Sequence, residues 1–148
     1  QLEDDLILSI EGEINAIESP SERVTLGMTL WLEKSRNDPV WCAFVNRVAH
    51  HSTMVESQLG TDLRDGIACG EFNCTDINAA YDLVVGSLRQ AMSRFLSENP
   101  SPDYQKQIIC SVLQGLGVTP KRITQLLNRS VPRMHRPSMT VSEGNTAD

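Results

Sequence analysis

The amino-acid sequence predicts an all-α fold, a single domain of about seven helices. Three observations predict it. Four prolines follow a residue whose side chain caps helices: Ser19-Pro20, Asp38-Pro39, Ser101-Pro102 and Thr119-Pro120. Each pair sets an oxygen acceptor before a residue with no N–H to leave unsatisfied, which is how helices start. Between these starts, apolar residues recur every three or four positions. No run of alternating apolar residues bounded by turn glycines appears, so there is little case for a sheet.

The elements follow in order. Residues 2–18 carry Leu2, Leu6, Ile10, Ile14 and Ile17 on one stripe. Residues 20–36 open with Ser19 three positions before Glu22, a capping-box spacing, and carry Val24, Met28, Trp31 and Leu32. Asn37-Asp38 ends that helix and caps the next, 39–50. There Val40, Trp41, Phe44, Val45 and Val48 cover most of the circumference, so this helix is expected to be central or to lie beside a cavity. A helix over 54–69 is weakened by Gly60 and could be two pieces. Gly70 ends it in the left-handed conformation that glycine adopts cheaply, and Phe72 is placed to fold back over that terminus. Thr75 or Asp76 caps the longest element, 77–97, roughly 30 Å at the usual helical rise. A helix over 102–115 closes at Gly115 or Gly117, and the last covers 120–128. After Val131 the periodicity fails at Pro132, Pro137, Ser138, Ser142, Gly144 and Asn145, so residues 133–148 read as a flexible tail, which leaves 1–132 as the domain.

Composition narrows the function classes. The chain has 148 residues, 40% hydrophobic and 22% charged, a globular balance. Its net charge of -6 argues against a general nucleic-acid binder. Five basic residues without an acidic one lie between Lys121 and Arg136, placed either to touch nucleic acid or to dock on the acidic body. No apolar run approaches the roughly 18 residues of a membrane span, so no membrane partner is expected. The acidic start Gln1-Leu2-Glu3-Asp4-Asp5 is unlike a signal peptide. Cys42, Cys69, Cys74 and Cys110 form no C-x-x-C pair, and the histidines are not spaced around them as zinc ligands. The expectation is a reducing, cytoplasmic setting with no disulfide and no metal.

No nucleophile elbow, zinc-protease, dinucleotide or P-loop motif is present, so no catalytic residue and no cofactor is expected, and the chain reads as no enzyme. His50 and His51 are adjacent, about 100° apart on a helix, and cannot chelate together. Asp62 and Asp65, beside Arg64 and Glu56, read as solvated charge. The 77–97 helix says more. Ile77, Tyr81, Val84, Leu88, Met92 and Phe95 make one apolar stripe. Ala79, Leu83, Gly86, Ser87 and Gln90 make a second, smaller face. Small residues let backbones approach, so this face, with Ile108, Ile109 and Val112 of the next helix, suits either a second copy or another helix of the same chain. Asp82 and Arg89 share a polar line. They face solvent, or they orient a ligand in a pocket lined by Trp31, Trp41, Phe44, Met54 and Tyr81, with His50 at its edge. Core packing is the plain alternative for each aromatic.

Two segments carry a family resemblance. Leu63-Arg64-Asp65-Gly66-Ile67-Ala68-Cys69-Gly70-Glu71-Phe72, followed by Asp76 and the long helix to Phe95-Leu96, is one. Leu113-Gln114-Gly115-Leu116-Gly117-Val118 with Thr119-Pro120, then Leu126-Leu127 and Val131-Pro132, is the other. With Asp38-Pro39-Val40-Trp41 opening a central helix, the chain from about residue 2 to 132 resembles the ligand-binding and dimerisation half of a TetR-like transcriptional repressor. Gly66 would let a neighbouring helix approach, Gly70 turn the chain, Asp76 recap it, and Gly117 end a helix. The resemblance implies a small-molecule effector held in the helical core and a homodimer built as a four-helix bundle from residues 77–97 and 102–115 of each copy. It further implies DNA recognition only through a helix-turn-helix domain that these residues do not include. The first helix, Leu2 to Glu18, would pass the effector's influence to that domain. A helical protein-interaction or adaptor domain without a pocket is the alternative.

Overall fold

The computed structural model describes residues 12, 14, 16–48 and 53–129, without the side chains of 53–57. Most of the expected first helix, and the 133–148 tail, lie outside the described residues. Six helices make up the described fold: α1 (Pro20–Asn37), α2 (Pro39–Val48), α3 (Thr53–Cys69), α4 (Ile77–Ser97), α5 (Pro102–Gly115) and α6 (Pro120–Asn128). No strand occurs among the described residues, and no described helix is long and apolar enough to cross a membrane. α3 is one continuous helix through Gly60, not two pieces.

Each Pro-start is a helix start. Asp76 caps α4 by accepting from the Asn78 and Ala79 N–H groups at 2.9 and 3.2 Å. Asp38 Oδ1 accepts from the Trp41 N–H at 3.0 Å, and Thr119 Oγ1 from the Arg122 N–H at 3.3 Å. Ser101 makes no such bond. Only half of the Ser19/Glu22 capping box forms. Ser19 Oγ accepts from the Glu22 N–H at 3.4 Å, but the Glu22 carboxylate turns away to Arg122 and Arg129 of the α6 end.

α1 is the centre of the molecule, packing against every other described helix. Its buried Val24, Met28 and Leu32 meet Leu63 of α3, Val84 and Ala91 of α4, Val112 and Leu113 of α5, and Leu126 of α6 in one core. Of the two places expected for α2, the centre is therefore taken by α1. α2 packs on α1 and α4 through one side and buries only Cys42. Trp41, Ala43 and Val45 are half-buried, while Val40, Phe44 and Val48 remain outside, 80%, 64% and 40% exposed. An apolar circumference shows that a helix has surface to cover, not which neighbour covers it.

The α3–α4 corner depends on two glycines. Gly70 has φ of 84° and closes α3. The chain then folds back so that the buried Phe72 ring lies on Gly66, where an added Cβ would stand 2.2 Å from a ring carbon. Gly66 therefore admits a ring from the following turn, not the neighbouring helix that was expected. At the α5–α6 corner Gly117 has φ of 78°, and its Cα faces the Asn73 carbonyl, 2.5 Å from where a Cβ would stand.

Both ends of α1 are tied down by side chains. At its start, Glu71 from the α3–α4 corner accepts from Ser19 Oγ at 2.9 Å and from the Ser21 backbone N–H at 2.7 Å. Arg122 of α6 donates to Ser19 Oγ and to Glu22 Oε1, each at 3.1 Å. At its end, Arg36 donates to Gln105 Oε1 at 2.7 Å and to the Pro100 and Ser101 carbonyls at 2.6 and 3.2 Å. The same guanidinium lies 4.8 Å from the Phe95 ring centre. Burial alone would raise the Glu71 pKa. The Ser21 and Ser19 hydrogen bonds and the Arg122 charge outweigh it, so the carboxyl titrates below its ordinary value.

Two outcomes follow for stability. Gly66→Ala pushes against the Phe72 ring and lowers the urea-unfolding free energy by about 1–3 kcal/mol. Glu71→Gln loses hydrogen bonds to a charged acceptor and costs about 1.5–3 kcal/mol at pH 7. A depressed folded-state pKa stabilises the fold above the unfolded value, about 4.3, and that contribution fades as pH falls through the folded value. The difference between parent and Glu71→Gln therefore closes below about pH 4.3 in urea titrations run at stepped pH.

Candidate functional site

The chain's two tryptophans meet where α1, α2 and α4 join. Trp31 and Trp41 pack edge to face, ring centres 5.0 Å apart. The Trp31 indole N–H donates to Met92 Sδ of α4 at 3.2 Å, and Lys34 Nζ lies 5.6 Å from the Trp41 ring centre. Cys42 Sγ donates to the Met92 carbonyl at 3.6 Å, and Asn46 Nδ2 to Ser93 Oγ at 3.1 Å, which fixes α2 across the end of α4. Both indoles are half-buried, so the junction is a packed aromatic corner with one side open. An edge-on aromatic pair presents a ring face to an incoming flat group.

The other expected pocket residues are dispersed. Phe44 points outward from α2. Tyr81 packs half-buried against the core near the start of α4, eleven residues and roughly 16 Å along the helix from Met92. Asp82 is exposed and Arg89 half-buried. His50 lies outside the described residues, and so does the Met54 side chain. Trp31 and Trp41 are thus brought together, while Tyr81 and Asp82 sit toward the other end of α4.

Two clefts have linings that the sequence did not single out. A cleft of about 600 Å³ surrounds the α3–α4 corner, bordered by Glu71, Asn73, Cys74, Thr119 and Arg122. A trough of about 520 Å³ runs between α1, α5 and α6, with Leu26, Ile109, Leu126 and Leu127 forming its floor and Glu22, Glu33 and Arg129 its rim. None of the pocket residues expected from sequence lines either. The available signal was Leu26, which stands to the side of the main α1 stripe and so called for a second contact. Burial pushes the Cys74 thiol pKa above its ordinary value, which keeps that thiol protonated and unreactive at neutral pH.

The expected dimer face divides in two. Ala79, Gly86 and Gln90 are exposed, and Leu83 and Ser87 half-exposed, so the small-residue face of α4 is open on the single chain. Leu83 also packs over Gly115, where a Cβ would stand 2.5 Å from its methyl carbon. Ile108 is half-buried against the core. Ile109 and Val112 are 5% and 1% exposed and belong to the chain's own core, as in the same-chain alternative for that face. α5 has three neighbours inside the chain, α1, α4 and α6, and these consume the apolar excess that the sequence showed.

Among solved structures, the fold is similar to that of RolR in complex with its ligand resorcinol. The TM-score is 0.68 and the identity 18%, over 86% of this chain and 66% of the RolR chain. This chain therefore spans just under two thirds of that protein. No protein-family model matches the sequence, and neither does any curated protein sequence. RolR is a TetR-family regulator, so the described helices have a TetR-like fold.

Proposed function

We propose that the chain is the effector-binding and homodimerisation domain of a TetR-like transcriptional regulator. The observation that carries this reading is the match of the helical order and packing, over 86% of the chain, to a regulator solved with a small aromatic ligand bound. The DNA-reading helix-turn-helix belongs to a part of the parent outside these 148 residues, and the regulator works in the cytoplasm. A small molecule binds one arrangement of the helical core better than another and shifts the population between them. The Trp31–Trp41 corner is the proposed effector contact, and Phe44, His50 and Met54 are kept as candidate pocket residues. Tyr81, Asp82 and Arg89 are left to a more distant part of the same chamber. The open α4 face, Ala79, Leu83, Gly86, Ser87 and Gln90, with Ile108 beside it, meets its counterpart in a second copy across a two-fold axis.

A protein-interaction domain without a chamber is the second reading. The exposed apolar residues of α2 and the open form of both clefts favour it.

Two measurements separate the readings. A Cβ at Gly86 meets nothing within 4 Å in the single chain, so Gly86→Leu leaves the fold intact. Sedimentation at micromolar concentration is expected to show a dimer for the parent and a shift toward monomer for Gly86→Leu. A monomeric parent, or an unaltered Gly86→Leu dimer, rejects the interface. Because both tryptophans sit at the proposed contact, their emission reports on it. Titration with small aromatic compounds, resorcinol among them, is expected to change that emission saturably for at least one, and Trp41→Ala to abolish the change. Emission unmoved across the panel in a chain that still dimerises supports the interaction domain.

A further inference from the structure

The trough between α1, α5 and α6 is long and narrow. Its wall on α1 is one continuous stripe, Glu22, Leu26, Thr29, Glu33 and Asn37, so it runs roughly 22 Å along that helix. A volume of about 520 Å³ over that length leaves an average section of roughly 24 Å², about 5 Å across. A helix with its side chains is about 10–12 Å wide and does not enter. One extended hydrocarbon chain does. With C–C bonds of about 1.5 Å and angles of about 111°, each carbon advances roughly 1.25 Å, so about 16–18 carbons span the length. The floor suits such a chain: Leu26, Ile109, Leu126 and Leu127 are apolar, and the Thr25 and Thr29 hydroxyls are spent on the Ser21 and Thr25 carbonyls at 2.7 and 2.8 Å.

The two ends differ in charge. At one, Arg122 and Arg129 both pair with Glu22, so each cation already has a carboxylate. At the other, Arg36 donates to Gln105 Oε1, Asn99 Oδ1 and the Pro100 and Ser101 carbonyls, all neutral acceptors. A guanidinium has five N–H groups, and one on Nη2 is left without an acceptor among the described residues. Lys106, exposed on the same rim, makes no ion pair or hydrogen bond among the described residues. Glu33 is the acid lining this end and pairs with neither, so two cations against one acid leave a positive charge that one carboxylate balances. We propose that the trough binds a long-chain carboxylate, a free fatty acid of about sixteen carbons, with its chain on the apolar floor and its carboxylate on Arg36 and Lys106. Neither tryptophan lines the trough, so this site lies apart from the proposed effector contact and stands or falls separately from it.

The test is calorimetric titration of the full chain with sodium hexadecanoate below its micellar concentration. Saturable binding of about one molecule per chain is expected, with octanoate, which spans about half the trough, at least about tenfold weaker. Lys106 is exposed, so Lys106→Glu leaves the fold intact; it is expected to raise the hexadecanoate Kd at least about tenfold, and Lys106→Arg to leave it near that of the parent. Trp41→Ala is expected to leave it unchanged. Absence of uptake assigns the trough to polypeptide, the chain's own or a second copy's, and overturns the proposal. Equal affinity for octanoate, or in Lys106→Glu, overturns it as well. So does loss of uptake in a folded Trp41→Ala chain, which moves the ligand to the aromatic corner.

Discussion

The carboxylate of Glu71 sets where α1 begins, and α1 touches every other described helix. A helix start presents unpaired N–H groups and a partial positive charge, and an acid supplied from elsewhere in the chain satisfies both. Here the acid comes from the corner after α3, the hydroxyl of Ser19 is shared with it, and Arg122 closes the group from α6. Three elements far apart in sequence are thereby held at one point. Arg36 does the same at the far end of α1, clasping the turn between α4 and α5 through carbonyls and the Phe95 face. With both ends fixed, the position of Trp31 midway along α1 is fixed too, and that places the aromatic corner.

A buried ion pair runs alongside. Arg23 of α1 bonds the nearly buried Asp62 of α3, which Gln58 also contacts at 3.1 Å. Burial raises the Asp62 pKa, and the hydrogen bonds from Arg23 and Gln58 with the Arg23 charge only partly offset it. Such a pair fixes register more than it adds stability. Asp62 was read from sequence as solvated charge, because Asp62 and Asp65 share a face and neighbour Arg64 and Glu56. What the sequence does not contain is that Arg23, thirty-nine residues earlier, arrives on that face.

Helix starts and ends were legible because they rest on local chemistry. A proline after a capping residue, and a glycine where φ must be positive, act within a few residues, and Asp76, Gly70 and Gly117 behave as those rules require. The identity of the partner across a gap was not legible. Gly66 faces the Phe72 ring instead of a helix, α2 leaves Val40, Phe44 and Val48 outside, and Ile109 and Val112 are covered by their own chain. Periodicity says which face of a helix is apolar and is silent on what covers it. The candidate site shows the same division. The two tryptophans meet because successive helices at a tight Asn37-Asp38 turn bring neighbouring residues together. Tyr81 and Asp82, matched by face alone, fall about half a helix away.

The claim that one shared cluster holds α1, the α3–α4 corner and α6 in place is tested most directly by a double-mutant cycle between Ser19→Ala and Glu71→Ala in urea unfolding. The account predicts a coupling energy of about 1 kcal/mol or more between the two. Losses that add to within about 0.3 kcal/mol would contradict it.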